Sequence, residues 1–532
     1  MPKSASTITA LVAVTLICGT VATQAQETAD IANSDLAGVV AAARSQIPSE
    51  LDSGSLQTYL DGVAAYIYGY PLIAIAMTER VSTNVESPGQ KLGRAPINQL
   101  YSASALPVGS AFKDVVLPST TTMYSVGFFN LEKEPLILHL PTITSDRFFI
   151  VQLMDAWTNV SRKSPSSRQG SMAPGDYALV GPDWKGRLPN NVSDIIRFDT
   201  NTAWQIMRVY TTGTKIDQDF VSEQIFNKMT LKPLSANDTN YTPPVLPVNP
   251  SIDGVTQPIN QVDSMGACEF FGTMSAMMMS NSARKVDVAL VPILQRLGII
   301  GDADAQTPTQ FSCSNLIENQ DEQTIRALQL AVGTGKRILN KPVPPSLTTT
   351  NWSVSLNVGD YGTQYVLRAI VAKKALGANR PQDAVYGYGV FDSAGTEDSN
   401  YLTGANRYKL HFKPRSAGKG PTEIPPIDGN GFWSITMYDV DGLLVDNQNA
   451  TWNALSTTEV QGHTSCLNDD KSLDVYVQAT PPTDPKQYCN WLETPQPTAK
   501  KNGQFILFLR MYWPDRAITN GQWYPPAVEK LN

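Results

Sequence analysis

Charged side chains are scarce in this chain: they make up 17% of its 532 residues, against roughly 25% in an average soluble domain. Asn, Thr, Ser and Pro take their place. No Lys/Arg cluster occurs, the net charge is -7 and the pI is near 5.2. Nucleic acid and anionic membrane surfaces both need a concentrated basic footprint, so neither is an expected partner. Histidine is rarer still, with three residues, His139, His411 and His463. A serine triad or a His-rich metal centre therefore has little to be built from. His139, inside the apolar run LILHL, reads as a hydrogen-bonded core histidine.

Signature motifs are missing too. No G-x-S-x-G, no H-E-x-x-H and no G-x-G-x-x-G opening a helix after a strand is present. AVGTGKRI, ending in Lys336, Arg337 and Ile338, imitates a phosphate loop, but Leu330 stands where Gly is required and Arg337 where Ser or Thr is required. It falls within a predicted helix. Beyond the N-terminus no stretch approaches the roughly 20 apolar residues of a membrane helix, so no membrane span is expected. Asp and Glu leave no spacing signature, and an oxygen-only divalent metal site stays open. No organic cofactor and no Cys/His metal site is expected, and an oligomer stays open.

What is there begins with an export signal. Lys3, an apolar run from Ile8 to Val21 and then Ala22-Thr23-Gln24-Ala25 follow the charged, apolar, small-residue order of a secretory peptide covering 1–25. Leu16-Ile17-Cys18-Gly19 offers a lipoprotein alternative, but Ile17 sits where a small residue is needed. A secreted or periplasmic protein is expected. Removing Cys18 leaves Cys268, Cys313, Cys466 and Cys489, an even set suited to an oxidising compartment. Three pairings are open; proximity favours Cys268 with Cys313 and Cys466 with Cys489. Glycosylation sequons occur at Asn159, Asn191, Asn237, Asn240, Asn351 and Asn449, in numbers that chance contributes to in so Asn-, Ser- and Thr-rich a chain.

The organisation follows from periodicity. A lead-in segment covers 26–55. From Leu56 the run LQTYLDGVAAYIYGYPLIAIAMTERV has helical spacing, with a break or kink expected at Gly69 and Pro71. MYSVGFFNL, LILHL, RFFIVQLMDAW, DYALVG and AWQIMRVYT then read as short strands, giving an N-terminal β domain over 56–232. A Pro-rich connector, 233–260, leads to a helical segment, 261–384, in which Met277, Met278 and Met279 read as gap-filling core residues. A C-terminal β-sandwich domain fills 385–532. The fold class expected is mainly β with a helical middle segment and two sandwich or jelly-roll-like domains.

Charged groups on strand faces that should be apolar supply the candidate chemistry. In FIVQLMD, Phe149, Val151, Leu153 and Asp155 share one face. In FILFLRMYW, Ile506, Phe508, Arg510 and Tyr512 share one face, and the opposite face is apolar as well. A strand covered on both sides obliges Arg510 to find a carboxylate or several carbonyls. Arg168, Arg208 and Arg407 are comparable. Such arginines are more often structural than functional, yet several of them among Tyr and Trp form what a sugar or small-carboxylate pocket needs: planar donors and ring faces.

YGYP at Tyr68 to Pro71, MYS at Met123 to Ser125, LMDAWTNV at Leu153 to Val160, GPDWKG at Gly181 to Gly186, FWSITMYD at Phe432 to Asp439, VDN at Val445 to Asn447, NWL at Asn490 to Leu492 and LRMYWP at Leu509 to Pro514 occur in one order. Together the chain, from about Tyr66 onward, resembles a two-domain family of unknown function, domain of unknown function 1254 followed by domain of unknown function 1214. The resemblance implies secreted or periplasmic proteins with sandwich-like domains and mostly no assigned activity. The chain departs from the family where Ser119, Thr120, Thr121 and Thr122 replace a usual Asn-x-Asp-Thr element, and where Thr451 and Trp452 stand in place of an arginine that often follows VDN. The candidate catalytic residues are Asp155 and Arg510; the candidate ligand-binding residues are Tyr68, Tyr124, Arg168, Trp433, Asn447 and Tyr512. The function expected is that of an extracytoplasmic, cofactor-independent enzyme of hydrolase or lyase type acting on a small oxygen-rich metabolite or saccharide. The alternative is a non-catalytic ligand-binding or accessory protein, a reading that the Ser119 to Thr122 replacement favours.

Overall fold

The computed structural model describes residues 35–107, 117–144, 146–169, 174–236, 240–301, 311–314, 321–341, 350–396 and 399–531. The expected signal peptide with Cys18, and the sequon at Asn237, lie outside the described residues. The described chain divides into two compact units, one built from residues up to 78, 256–342 and 361–376, the other from 79–255, 343–360 and 377–532.

The first unit is helical. It contains α1 (Asp35–Ser45), α2 (Leu56–Ser82) as far as Thr78, α3 (Ala267–Met278), α4 (Glu322–Leu339) and α5 (Tyr365–Lys374). The expected break at Gly69 and Pro71 does not occur, and α2 runs through both residues. Its length and hydropathy would suffice to cross a membrane, contrary to the reading of the run as interrupted, but 94% of its most apolar window is buried inside the protein. Packing on every side outweighs the one backbone hydrogen bond that proline removes. Close approach is what the glycines permit. A Cβ at Gly69 would stand 2.4 Å from the Met274 sulfur, and one at Gly335 would stand 2.2 Å from the Tyr66 ring. The phosphate-loop imitation is thus a helix-packing face of α4. Of the three consecutive methionines, Met278 is buried while Met279 is 59% exposed.

The second unit is the β structure, mainly in four sheets among the described residues. One sheet has the order β1-β2-β7-β4, from β1 (Tyr101–Ser102), β2 (Thr122–Asn130), β4 (Phe149–Asp155) and β7 (Thr202–Tyr210). A second has the order β6-β5-β3-β8, from β3 (Leu136–Leu140), β5 (Gly175–Val180), β6 (Val192–Arg197) and β8 (Thr230–Pro233). Met123, Val151, Leu153, Met207 and Val209 from the first sheet and Leu138, Leu179 and Ile196 from the second share one core, which makes this pair a sandwich.

The C-terminal half repeats the arrangement. Its larger sheet has the order β15-β14-β18-β10-β9, from β9 (Trp352–Ser355), β10 (Ala384–Gly389), β14 (Ile427–Asp439), β15 (Ala454–Leu455) and β18 (Phe505–Pro514). A ribbon of β11 (Phe391–Thr396) and β12 (Ser399–Tyr401) follows β10. The smaller sheet has the order β17-β16-β13-β19, from β13 (Arg407–Phe412), β16 (Leu473–Gln478), β17 (Trp491–Glu493) and β19 (Glu529–Leu531). Trp433, Ile435, Met437, Leu507 and Leu509 pack across to Leu410, Phe412 and Val475.

The two larger sheets turn their remaining faces toward each other within this unit. Phe148 and Ile150 from the N-terminal half cluster with Ala384, Phe432, Tyr512 and Trp513 from the C-terminal half. The Phe148 ring lies 4.8 Å from that of Tyr512 and 5.6 Å from that of Phe432. The middle strands β7 and β18 are therefore covered on both faces, and their side chains read as nearly continuous apolar runs.

Both favoured disulfides form, Cys268–Cys313 across 45 residues and Cys466–Cys489 across 23. Loop-closure entropy assigns them about 4 and about 3 kcal/mol respectively. Replacing Cys268 and Cys313 together by Ser is expected to lower stability more than replacing Cys466 and Cys489. Denaturant titration of the two double variants checks the order.

Candidate functional site

The apposed faces carry two arginines. On β18, Ile506, Phe508, Arg510 and Tyr512 point one way; on β7, Trp204, Ile206, Arg208 and Tyr210 do. Arg510 is 4% exposed and Arg208 8%. Arg510 Nη2 donates to the Leu117 carbonyl at 2.8 Å and Nη1 to Thr436 Oγ1 at 3.2 Å. Its guanidinium carbon stands 4.4 Å from the Phe508 ring centre and 5.5 Å from that of Tyr438. Tyr438 Oη donates to the Pro118 carbonyl at 2.6 Å, so the segment before β2 is tied to the C-terminal sheet twice.

Arg208 is held in the same manner. Nη1 donates to Gln152 Oε1 at 2.5 Å and to Asn379 Oδ1 at 3.4 Å, and Nη2 donates to the Gly377 carbonyl at 3.2 Å. Gln152 Nε2 bonds the carbonyls of Gly377 and Ala378, and Asn379 Nδ2 donates to Tyr386 Oη at 2.7 Å. Gly377 has φ +87, and a Cβ there would meet Ile206 at 2.8 Å. Only glycine lets this turn approach β7 closely enough to offer its carbonyl. The Arg208 guanidinium also covers the Tyr124 ring at 5.5 Å, as the direct cross-strand pairing of Tyr124 with Arg208 requires.

Among the described residues no carboxylate pairs with either guanidinium. Every acceptor they meet is a carbonyl, an amide, a hydroxyl or a ring face. Cation–π contact contributes about 2 kcal/mol to a desolvated cation, while removing an ion from water costs several kcal/mol. Among the described residues, two positive charges thus lie on facing sheets with no negative side chain paired to either.

Four tyrosines, Tyr124, Tyr386, Tyr438 and Tyr512, surround the pair. Burial pushes the phenols of Tyr386, Tyr438 and Tyr512 upward. Burial opposes ionisation of Tyr124 as well, but the positive charges of Arg208 and then Arg510 outweigh it and hold its pKa below the usual value near 10. Phe148 packs across one end of the facing surfaces, and Tyr124, Val126, Trp204, Tyr386, Tyr388 and Phe508 on the same faces are half-buried. The cleft, the line along which the two faces meet, is bordered by aromatic rings and two buried cations.

Family comparison covers segments from both sides of this interface. Residues 97–233 match "Protein of unknown function (DUF1254)" and residues 383–516 match "Protein of unknown function (DUF1214)". The chain belongs to the family that joins these two domains. The crystal structure of the VPA0106 protein from Vibrio parahaemolyticus has a similar fold, with a TM-score of 0.61 at 19% identity over 89% of this chain and 100% of that one. A crystal structure of an uncharacterised protein from Burkholderia cenocepacia aligns with a TM-score of 0.39 at 12% identity, over 93% of this chain and 95% of that one. No curated protein matches this chain.

Of the residues singled out from sequence, the DUF1254 half contributes Tyr124 to the cleft and the DUF1214 half contributes Arg510 and Tyr512. Asp155 does not join them. It ends β4 on the face shared with Phe149, Val151 and Leu153, which packs into the sandwich core. Its Oδ1 accepts from the backbone N–H of Trp157 at 2.9 Å and of Asn159 at 2.8 Å, and the Asn159 amide donates to both carboxylate oxygens. This carboxylate fastens a turn. Trp433 is one residue out of phase with the cleft face of β14, and stacks on Phe412 in the other core at 5.8 Å. Asn447 bonds the Trp452 carbonyl and accepts from Asn453 within its own loop. Tyr68 belongs to the helical unit, where it donates to Asp287 Oδ2 at 3.2 Å.

Arg168 bonds the Gln382 carbonyl and Asp428 at 3.3 Å, with Trp513 beneath it at 5.5 Å. Asp428 is hydrogen-bonded to Asp515, whose other contacts are Lys419 and the Ala517 N–H. This is the one carboxylate pair among these groups, and its members are half-exposed or committed to neighbouring cations. A pocket lined by Arg415, Ser416, Lys419, Glu423, Pro426 and Ile427 shares only Lys419 with this group, and its one carboxylate, Glu423, accepts from Ser416. Arg407 is exposed.

Arg208 carries the same sequence signal as Arg510, a lone cation in a strand apolar on both faces. Gln152, Asn379 and Tyr386 carry no such signal, because their roles depend on which faces oppose.

Asp155 and Arg510 should respond oppositely to mutation. Asp155→Ala strands buried N–H groups and is expected to cost about 1–3 kcal/mol of stability. Arg510→Met leaves no unpaired carboxylate and removes a buried charge, so stability is expected to fall by less than about 1 kcal/mol or to rise. Chemical denaturation of both variants at low ionic strength checks the contrast.

Proposed function

We propose that this protein binds a small organic anion, a carboxylate being the leading chemistry, between its two inner sheets. Arg208 and Arg510 hold the anionic group, and Tyr124, Tyr386 and Phe508 contact the ring or apolar body attached to it. The observation that carries the reading is the pair of buried guanidiniums that have no carboxylate partner among the described residues. Planar fork donors match a carboxylate, and aromatic walls suit a flat or apolar remainder. Within the oxygen-rich ligands that the composition suggested, an acid or a uronate fits this floor better than a neutral sugar, which would leave both charges uncompensated. Two disulfides weakly support an oxidising, extracytoplasmic setting for this activity.

Benzoate is a suitable probe and benzyl alcohol its neutral counterpart. Benzoate is expected to raise the melting temperature by mass action while benzyl alcohol does not. Arg208→Gln and Arg510→Gln should each weaken benzoate binding at least about tenfold, equivalent to 1.4 kcal/mol. Equal effects of acid and alcohol, or unchanged affinity in the double variant, would sink the proposal.

A further inference from the structure

Beside the two arginines, the facing sheets carry two buried hydroxyls whose hydrogen bonds are unspent. We infer that these hydroxyls, Ser434 on one sheet and Thr122 on the other, set the chemical class of the ligand, and that the anion held by Arg208 and Arg510 is a hydroxy acid. The inference rests on the anion-binding reading for the ligand and on the two hydroxyls for its class.

Strand register places Ser434 at the site. Phe432, Ser434, Thr436 and Tyr438 alternate onto the face of β14 that meets the other sheet, while Trp433, Ile435 and Met437 enter the sandwich core. Ser434 is the direct cross-strand partner of Arg510, a pairing that sets their Cβ atoms about 5 Å apart. The next hydroxyl on that face, Thr436, already accepts from Arg510 Nη1 at 3.2 Å. Ser434 is fully buried, and its Oγ has no hydrogen-bond partner among the described residues.

Thr122 occupies the matching place on the facing sheet. It is fully buried and its Oγ1 is likewise unpartnered among the described residues. It pairs across the strands with Tyr210, whose ring packs on Phe432 at 4.6 Å, and it lies two residues before Tyr124, the cross-strand partner of Arg208. Each sheet thus presents one arginine and one unused hydroxyl.

A buried hydroxyl without a partner is unfavourable, because it has given up its hydrogen bonds to water for none within the protein. Other buried hydroxyls nearby are used: Ser167 Oγ accepts from the Phe149 N–H and from Trp513 Nε1, and Thr200 Oγ1 accepts from the Ala156 N–H and donates to the Thr202 carbonyl. An alanine would pack at position 434 without that loss, so the fold alone does not call for the hydroxyl.

What a hydroxyl adds to a guanidinium is an acceptor, since arginine has none. A plain carboxylate offers acceptors only, and the two arginines already match it. A ligand hydroxyl needs an acceptor as well as a donor, and Ser434 and Thr122 supply both. A plain acid and a hydroxy acid both satisfy the arginines; only the hydroxy acid also satisfies the two hydroxyls. A site built to hydrogen-bond a ligand hydroxyl discriminates against the analogue that lacks it, because buried polar groups are then left unpaired.

Ser434→Ala tests the hydroxyl without any ligand. The variant is expected to melt at or above the wild-type temperature. A lower melting temperature means that the hydroxyl is already satisfied in the free protein, by an internal water or otherwise, and overturns the inference.

Titration calorimetry with matched acids tests the ligand class. Phenylacetate is compared with mandelate, its 2-hydroxy derivative, and 3-phenylpropionate with its 3-hydroxy derivative, so that the hydroxyl is offered on either of two carbons. The wild type is expected to bind at least one hydroxy acid about tenfold or more tighter than its parent. The double variant Ser434→Ala with Thr122→Val should lose that preference and keep its affinity for the parent acid. Equal binding of hydroxy and parent acids by the wild type, or a preference that survives in the double variant, overturns the inference and leaves the anion-binding reading standing. If none of the four acids binds, the inference falls; if benzoate is silent as well, the anion-binding reading falls with it.

Discussion

Everything distinctive about this protein turns on an uncompensated charge. Two guanidiniums leave the middle strands of two sheets and point into the space between them, each satisfied in hydrogen bonds but not in charge. A buried arginine that only tethers a fold usually faces a carboxylate, as Arg284 faces Asp287 at 2.7 Å and Arg147 faces Asp217 at 2.6 Å in this same chain. Those pairs are neutral as units and ask nothing further of their surroundings. Among the described residues Arg208 and Arg510 meet only neutral acceptors and ring faces, which offset part of the cost of burying them.

The replaced segment before β2 bears on the same balance. Ser119, Thr120, Thr121 and Thr122 are fully buried, and they follow the two residues whose carbonyls receive Arg510 and Tyr438. A carboxylate built into this stretch would have supplied an anion near Arg510. Here the Ser119 and Thr121 hydroxyls bond each other instead. The departure from the Asn-x-Asp-Thr element is therefore not a remote surface difference but a change beside the residues that hold Arg510.

Much of this was legible in the chain, for identifiable reasons. The mainly β class, the helical middle and the pairing of the four cysteines follow from periodicity and proximity, both local properties. The alternation in FILFLRMYW placed Arg510 with Tyr512 and opposed it to Leu509 and Met511 correctly, because the side-chain period in a strand is two. The same alternation could not tell that Asp155, at the end of its strand, turns its oxygens to the N–H groups of Trp157 and Asn159, since a turn breaks the period. Trp433 shows the sharper limit. It sits beside Phe432 and Ser434, which face the cleft, and one step in register sends it into the other core. No local pattern states which of two apolar faces will meet another sheet and which will meet its sandwich partner.

That limit explains why the site is divided as it is. The segment 97–233 supplies Tyr124, Gln152 and Arg208; the segment 383–516 supplies Tyr386, Tyr438, Arg510 and Tyr512. Each half brings one cation, which its own sandwich can carry on an outward face where water would solvate it. The charge is buried only because the two faces meet. The turn at Gly377 to Asn379, outside both matched segments, bonds Arg208 and Gln152 on one side and Tyr386 on the other. It fixes the register between the halves at the point where their charges meet. The two sandwiches of this chain, each with its own core, are in that sense the two sides of one buried pair of charges.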